Sequence, residues 1–244
     1  MSLTETVRAG LGPGPVGIAV SGGGDSVALL VLAVRAGIAV EAATVDHGFR
    51  PEAAAEAAAV AALCARLGVP HATLRWTWDG RGNRMEAARE GRMAALAAWA
   101  AARGLPAVAL AHTRDDVAET FLMRLARRSG VDGLAAMEAR RAARGMVWLR
   151  PLIGVARADL RAWLRAEGIG WAEDPTNDDP AYARTQARAA LAALGPLGIT
   201  AEGLAEVAGN LRTARAALEA ATAAAGARVF RAEFGAIAVD RAAL

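Results

Sequence analysis

Short apolar runs alternate with alanine-rich stretches of helical character along most of the chain, which is the rhythm of an α/β protein built on a parallel sheet. The runs Val16 to Val20, Ile38 to Val45, His71 to Trp76 and Ala107 to Ala111 predict strands, and the segments Asp25 to Ala36, Glu52 to Leu67 and Arg84 to Arg103 predict helices. A glycine follows each helix, at Gly37, Gly68 and Gly104, where a residue without a side chain can take the left-handed conformation that ends a helix. Right-handed crossovers then imply one doubly wound parallel sheet, with its ligand crevice at the carboxyl ends of the strands. Further on, Leu160, Trp163 and Leu164 are spaced as the buried face of a helix.

The pattern changes after Arg188. Gly195-Pro196-Leu197-Gly198 marks a boundary, and Ala201 to Gly226 reads as one long helix bearing Leu204, Val207, Leu211 and Leu218. Two runs about Gly235, Val229 to Phe234 and Ala236 to Val239, read as a hairpin. The expected organisation is a nucleotide-handling α/β domain over residues 1–195 and a small helical and hairpin appendage over residues 196–244. The chain end at Leu244 fits either a minimal form or a piece of a longer protein.

At 244 residues and 55% hydrophobic composition, the chain can bury a sizeable core, which excludes a disordered protein. All 28 basic side chains are arginine, so the net charge is only +3 while the pI reaches 10.2. Arginine without lysine, beside so much alanine, fits a GC-rich coding bias as well as an adaptation to anions. No run reaches the length of a membrane span, and residues Met1 to Val20 lack a basic segment followed by a continuous apolar one, so cytoplasmic location and no membrane partner are expected. The lone Cys64 cannot form an internal disulfide, in keeping with a reducing compartment.

Chemistry concentrates at the strand ends. Ser21-Gly22-Gly23-Gly24-Asp25-Ser26 lies between the first predicted strand and its helix. Such a loop exposes successive backbone N–H groups and a helix N-terminus to an anion, with the hydroxyls of Ser21 and Ser26 as further donors. A Walker loop is excluded because Asp25-Ser26 stands where Gly-Lys-Ser/Thr is needed, and GxGxxG is excluded because Val27 stands where the last glycine would be. Asp46-His47-Gly48-Phe49-Arg50 follows the second strand, and His112-Thr113-Arg114-Asp115-Asp116-Val117-Ala118-Glu119 follows the fourth. Asp116 and Glu119 are three apart and project together from a first helical turn, where they suit a cation; Asp115 and Asp116 equally suit a helix cap. The spacing of His47 and His112 suggests no zinc site, and the metal ligands stay unassigned.

The loop resembles the SGGxDS loop of the N-type ATP pyrophosphatases, or PP-loop enzymes, which split ATP between the α and β phosphates. The stretch Asn83 to Arg92, the block Ala111 to Thr120, Arg150-Pro151-Leu152 and Asp174-Pro175-Thr176-Asn177-Asp178 followed by Arg184 and Arg188 are similar, in order and spacing, to the motifs of the tRNA(Ile)-lysidine synthetases. The resemblance covers Val16 to Arg188. It implies adenylation by ATP of the C2 oxygen of the wobble cytidine in tRNA(Ile) with a CAU anticodon, then displacement of AMP by the amine of L-lysine. It also implies that Ser21, Gly22, Gly23, Gly24, Asp25 and Ser26 hold the ATP phosphates, that Asp25, Arg92, Asp116 and Glu119 are catalytic, and that Arg184 and Arg188 lie near tRNA. Asp116 and Glu119 would orient the lysine amine or a magnesium ion. Thr185, Met93 and Arg127-Arg128-Ser129-Gly130 depart from the usual motifs.

Arg140, Arg141, Arg144, Arg150, Arg157, Arg161 and Arg165, with Trp148 and Trp163 among them, suit a nucleic-acid partner, although the helical spacing of Trp163 favours the core. Two other functions are open to such a chain. A tRNA thiolase would need several cysteines, and an amide-forming synthetase would need a glutaminase region. A silent tRNA-binding module would have no use for the intact loop, Asp116 and Glu119. Oligomeric state is left open.

Overall fold

The computed structural model describes residues 1–46, 48, 52–78, 80–135, 137–173 and 182–241. His47 and the Asp174 to Asp178 block lie outside them. A capped helix α1 (Leu3–Leu11) opens the chain. It leads into β1 (Val16–Ala19), α2 (Gly24–Arg35), β2 (Val40–Asp46), α3 (Glu52–Leu67), β3 (His71–Arg75), α4 (Arg84–Ala102) and β4 (Ala107–Ala109). The predicted strands and helices therefore form, and Gly37, Gly68 and Gly104 take φ of +72°, +68° and +67° as helix stops.

The chain continues through α5 (Arg114–Ala126), α6 (Val131–Leu134), the hairpin β5 (Arg140–Ala143) and β6 (Met146–Leu149), α7 (Arg157–Ala166) and α8 (Ala183–Leu194). After a short 3₁₀ turn come α9 (Ala201–Val229) and the hairpin β7 (Phe230–Glu233) and β8 (Ala236–Val239). The main sheet runs β3-β2-β1-β4-β6-β5, parallel except for the β5–β6 pair. Successive crossovers carry the chain outward from β1 to β3 and then back to the other side of β1 as β4. The carboxyl ends of β1 and β4 thus flank the switch point where open α/β sheets bind ligands.

Two apolar layers hold the sheet. On one face Val7, Leu29, Leu30, Leu32, Cys64, Leu160 and Leu164 pack with Ile18 of β1; on the other Leu96 and Trp99 of α4 pack with Val108 and Trp148. Gly17 permits the second layer, because a Cβ there would lie 2.7 Å from the Trp99 ring. Trp148 is 1% exposed and donates its indole N–H to the Ala143 carbonyl at 3.0 Å. It is a core residue, and the reading of Trp148 as a stacking surface for bases is corrected. The β5–β6 hairpin turned a segment read as basic surface into sheet. Trp163 packs against the core with Arg35 5.1 Å above its ring.

The first half of α9 docks on α5 through Leu204, Ala208 and Leu211 against Val117 and Phe121, and Arg212 donates to the carbonyls of Ala135 and Met137. Among the described residues, no single helix is long and apolar enough to cross a membrane.

Candidate active site

The glycine loop leaves β1 and enters α2 with Gly23 as its N-cap. Gly22 takes φ +90°, a conformation L side chains rarely adopt, and its carbonyl accepts from the Ala172 N–H at 2.9 Å, which pins the loop to the segment after α7. Ser26 Oγ donates to the Gly23 carbonyl at 2.8 Å and accepts from the Ser21 N–H at 3.2 Å, so the two serines close the loop on itself. Amides in the first turn of α2 have no acceptor within the helix and, with the helix dipole, point at whatever anion lies above the loop.

At the neighbouring strand end, Thr113 caps α5. Asp116 Oδ2 accepts both the Thr113 N–H at 2.8 Å and its hydroxyl at 2.9 Å, completing a capping box. The cap thus occupies Oδ2 of Asp116 and leaves Oδ1 to arginine side chains. Its Oδ1 accepts from Arg157 Nη2 at 3.1 Å and from Arg184 Nη1 at 3.4 Å. Glu119, one turn on and 1% exposed, accepts on Oε1 from Arg157 Nη1 at 2.9 Å and from Arg188 Nε at 2.7 Å. Asp25, from the glycine loop, accepts from Arg157 Nε at 3.1 Å.

One guanidinium thus gathers the three carboxylates predicted to be catalytic. Arg157 opens α7, where Asp115 Oδ2 accepts its backbone N–H at 2.8 Å. By sequence alone Arg157 is one member of a general basic run. The available signal was its position three residues before Leu160 and seven before Leu164, on the face of α7 that turns inward. Arg184 and Arg188 sit on α8 and face Asp116 and Glu119, which makes them part of the acid cluster and not an independent solvated face.

Electrostatics follow from this crowding. Burial raises the Asp25 pKa above its ordinary value, against the pull of Arg157. Burial also opposes ionisation of Asp116, but Arg157, the Thr113 amide, His112 and Arg184 together outweigh it and hold Asp116 below the usual carboxylate range. Asp25 Oδ1 and Glu119 Oε2 are buried without a hydrogen-bond partner among the described residues, so each carboxylate keeps one free acceptor. Among the described residues no three metal-ligating side chains are grouped closely enough to hold an ion by themselves. Asp25 Oδ1 does suit a magnesium ion of the kind held by one carboxylate and substrate phosphates.

Arg92 does not touch the acids. It is half-buried on α4, its Nε lacks a partner among the described residues, and burial with Arg89 and Arg184 nearby lowers its pKa. His112 accepts the Arg150 Nε–H on Nδ1 at 3.2 Å, which leaves the ring proton to Nε2, and burial foremost pushes its pKa down to about 3. Positive charge at Arg92 and Arg150 that has no carboxylate partner among the described residues therefore borders the acid cluster, an arrangement suited to phosphate. Cys64 lies buried in α3 with its thiol pushed up to about 11 by burial, far from thiolate chemistry.

A family model described as the PP-loop domain matches residues 3–194. The tRNA(Ile)-lysidine synthase of Ruegeria pomeroyi is 55% identical over 212 residues, 85% of this chain and 51% of that protein. That of Hyphomonas neptunium is 50% identical, over 71% of this chain and 50% of that protein. The chain thus spans about half the length of these relatives. Among solved structures, the U34-tRNA thiolase NcsA of Methanococcus maripaludis superposes with a TM-score of 0.72 over 85% of this chain and 76% of its own, at 15% identity, a likeness of fold.

Proposed function

The chain belongs to the PP-loop domain family, and from that premise we propose that it carries the catalytic part of a tRNA(Ile)-lysidine synthetase. The reaction joins L-lysine to the wobble cytidine of tRNA(Ile) with a CAU anticodon and turns ATP into AMP and pyrophosphate. The observation that carries the reading is the meeting of Asp25, from the phosphate loop, with Asp116 and Glu119 from α5 around one cation. Displacing an adenylated oxygen from carbon by an amine requires a phosphate cradle and an ammonium site side by side. The identity with lysidine synthases supports the same reading.

In the first step the cytidine C2 oxygen attacks the α phosphorus, and the bond to the bridging oxygen breaks. Backbone N–H groups of residues 22–25 and the hydroxyls of Ser21 and Ser26 stabilise the charge that collects on the departing pyrophosphate. A magnesium ion held by Asp25 Oδ1 and the phosphates would add charge neutralisation there. In the second step the lysine amine attacks C2 and AMP leaves with the oxygen. Asp116 and Glu119 hold the ammonium, and Glu119 Oε2 is an acceptor for the proton the amine must lose. Arg92 serves the adenylate phosphate, and Arg184 and Arg188 line the approach of the tRNA backbone.

We assign this chemistry to residues 1–195 and treat residues 196–244 as an appendage, in a protein of the cytoplasm. The burial of Cys64 speaks against sulfur transfer. Mass spectrometry of tRNA digested after incubation with ATP and lysine tests the reading. Lysidine, with AMP and pyrophosphate, is expected; ADP with orthophosphate, or unmodified cytidine, overturns it.

A further inference from the structure

Arg157 uses each nitrogen of its guanidinium on a different carboxylate, at 3.1 Å to Asp25, 2.9 Å to Glu119 and 3.1 Å to Asp116. Its side chain is only 16% exposed. With Arg184 and Arg188 it brings three cations to three anions, a neutral cluster. Both cations that the reaction requires, a divalent ion at Asp25 and an ammonium at Asp116 and Glu119, would meet carboxylates already engaged by this one side chain. Removing the guanidinium leaves one uncompensated negative charge beside two buried, unpartnered oxygens, Asp25 Oδ1 and Glu119 Oε2.

We infer that Arg157 is a resident cation that stands in for the reaction's own cations before ATP binds and exchanges its carboxylate partners for the ATP phosphates when they arrive. The inference rests on the lysidine-synthetase reading for the identity of those cations. Geometry leaves room for the exchange. The Arg157 backbone N–H is fixed by Asp115, so α7 stays in place while a long side chain turns about a fixed Cα. Arg157 also lines an open hollow of about 370 Å³ with Asp115, Ala158, Arg161 and Arg165, which leaves room for that turn. A guanidinium leaving carboxylates beside the glycine loop meets the triphosphate next, and its planar fork suits phosphate as well as carboxylate. Arg157 thereby acts as a positioning residue that compensates the charge of the acids until substrate is present.

Two readouts test this on the intact chain, with Arg157→Gln and Arg157→Lys compared with the parent. Calorimetric titration of the ligand-free protein with Mn²⁺ should give about ten-fold tighter binding in Arg157→Gln, since one charge is removed from a partly screened cluster, and an intermediate value in Arg157→Lys. In tRNA-dependent exchange of pyrophosphate into ATP, the KM for ATP should rise about ten-fold in Arg157→Gln and recover in part in Arg157→Lys, while in the complete reaction that forms lysidine the KM for lysine should not rise. Unchanged Mn²⁺ affinity in folded Arg157→Gln overturns the inference. So does a raised KM for lysine with ATP unaffected, which would make Arg157 a fixed support of the acids. If Arg157→Gln does not fold, Arg157→Lys decides by the same two measurements. A parent that exchanges no pyrophosphate overturns the lysidine reading alone, because the Mn²⁺ titration stands without it.

Discussion

Asp115 and Arg157 lock two helix N-termini together: the Oδ2 of Asp115, in the first turn of α5, accepts the backbone N–H of the first residue of α7 at 2.8 Å. The acid cluster depends on this bond, since it sets where the Arg157 side chain begins. Asp115→Ala should cost about 1 kcal/mol, the worth of a helix cap, and Asp115→Asn, which keeps an acceptor oxygen, less than half of that. Urea unfolding of the three proteins checks the order. Equal midpoints would mean that water replaces the carboxylate without loss.

Asp25 sets function against stability. Burial raises its pKa, so the folded state favours its proton more than the unfolded chain does, and ionised Asp25 costs stability at neutral pH that is recovered as pH falls through the folded value. Asp25→Asn should therefore be at least as stable as the parent at pH 7, yet lose about 10²-fold or more in turnover as the loop loses the carboxylate that would hold magnesium. Thermal melts and assays of AMP release read the two effects separately. A destabilised but active variant would contradict both halves.

His112 gives the opposite pH dependence. Its folded pKa lies near 3 against an ordinary 6.5, because burial first, and then Arg150, Arg184 and Arg92, disfavour the imidazolium against the attraction of Asp116. Between those values the unfolded chain binds a proton that the folded chain refuses. Stability from this residue should therefore fall as pH drops from about 6.5 toward 3, with a slope approaching at most about 1.4 kcal/mol per pH unit. His112→Asn keeps an acceptor for Arg150 and should flatten the profile in that window. Parallel profiles would show the ring to be solvated.

The elements around β1 to β4 were legible because each is announced twice, by an apolar run and by a terminating glycine such as Gly37 or Gly68 whose positive φ the structure bears out. The glycine loop was legible for a similar reason, since its function lies in its backbone. The β5–β6 hairpin was not, because Arg140-Arg141-Ala142-Ala143 has little strand character and pairs only because Met146 to Leu149 lies beside β4. Arg157 was hidden by composition. In a chain whose cations are all arginine, a buried one differs from its solvated neighbours only by its place on a helix face, and its three partners come from segments 132, 41 and 38 residues away.

Arg184 and Arg188 both face the acids, but their bonds differ, and so should their variants. Arg188 donates at 2.7 Å to a carboxylate that is 1% exposed, whereas Arg184 reaches its 8% exposed carboxylate at 3.4 Å, with the two arginine side chains themselves 34% and 40% exposed. Arg184, the more loosely held of the two, is thus the more readily released to an incoming polyanion. Arg184→Ala should leave the melting temperature nearly unchanged, weaken tRNA binding, and lower the log-log salt slope by up to about one unit. Arg188→Ala removes a partner of buried Glu119 and should destabilise the fold by about 1–3 kcal/mol, with a rise in the KM for lysine as Glu119 loses its orientation. Melting curves, tRNA titrations at several salt concentrations and lysine saturation curves separate the two. Equal salt slopes in parent and Arg184→Ala would remove Arg184 from the tRNA contact. A stable Arg188→Ala with an unchanged KM for lysine would show that Arg157 alone suffices to hold Glu119.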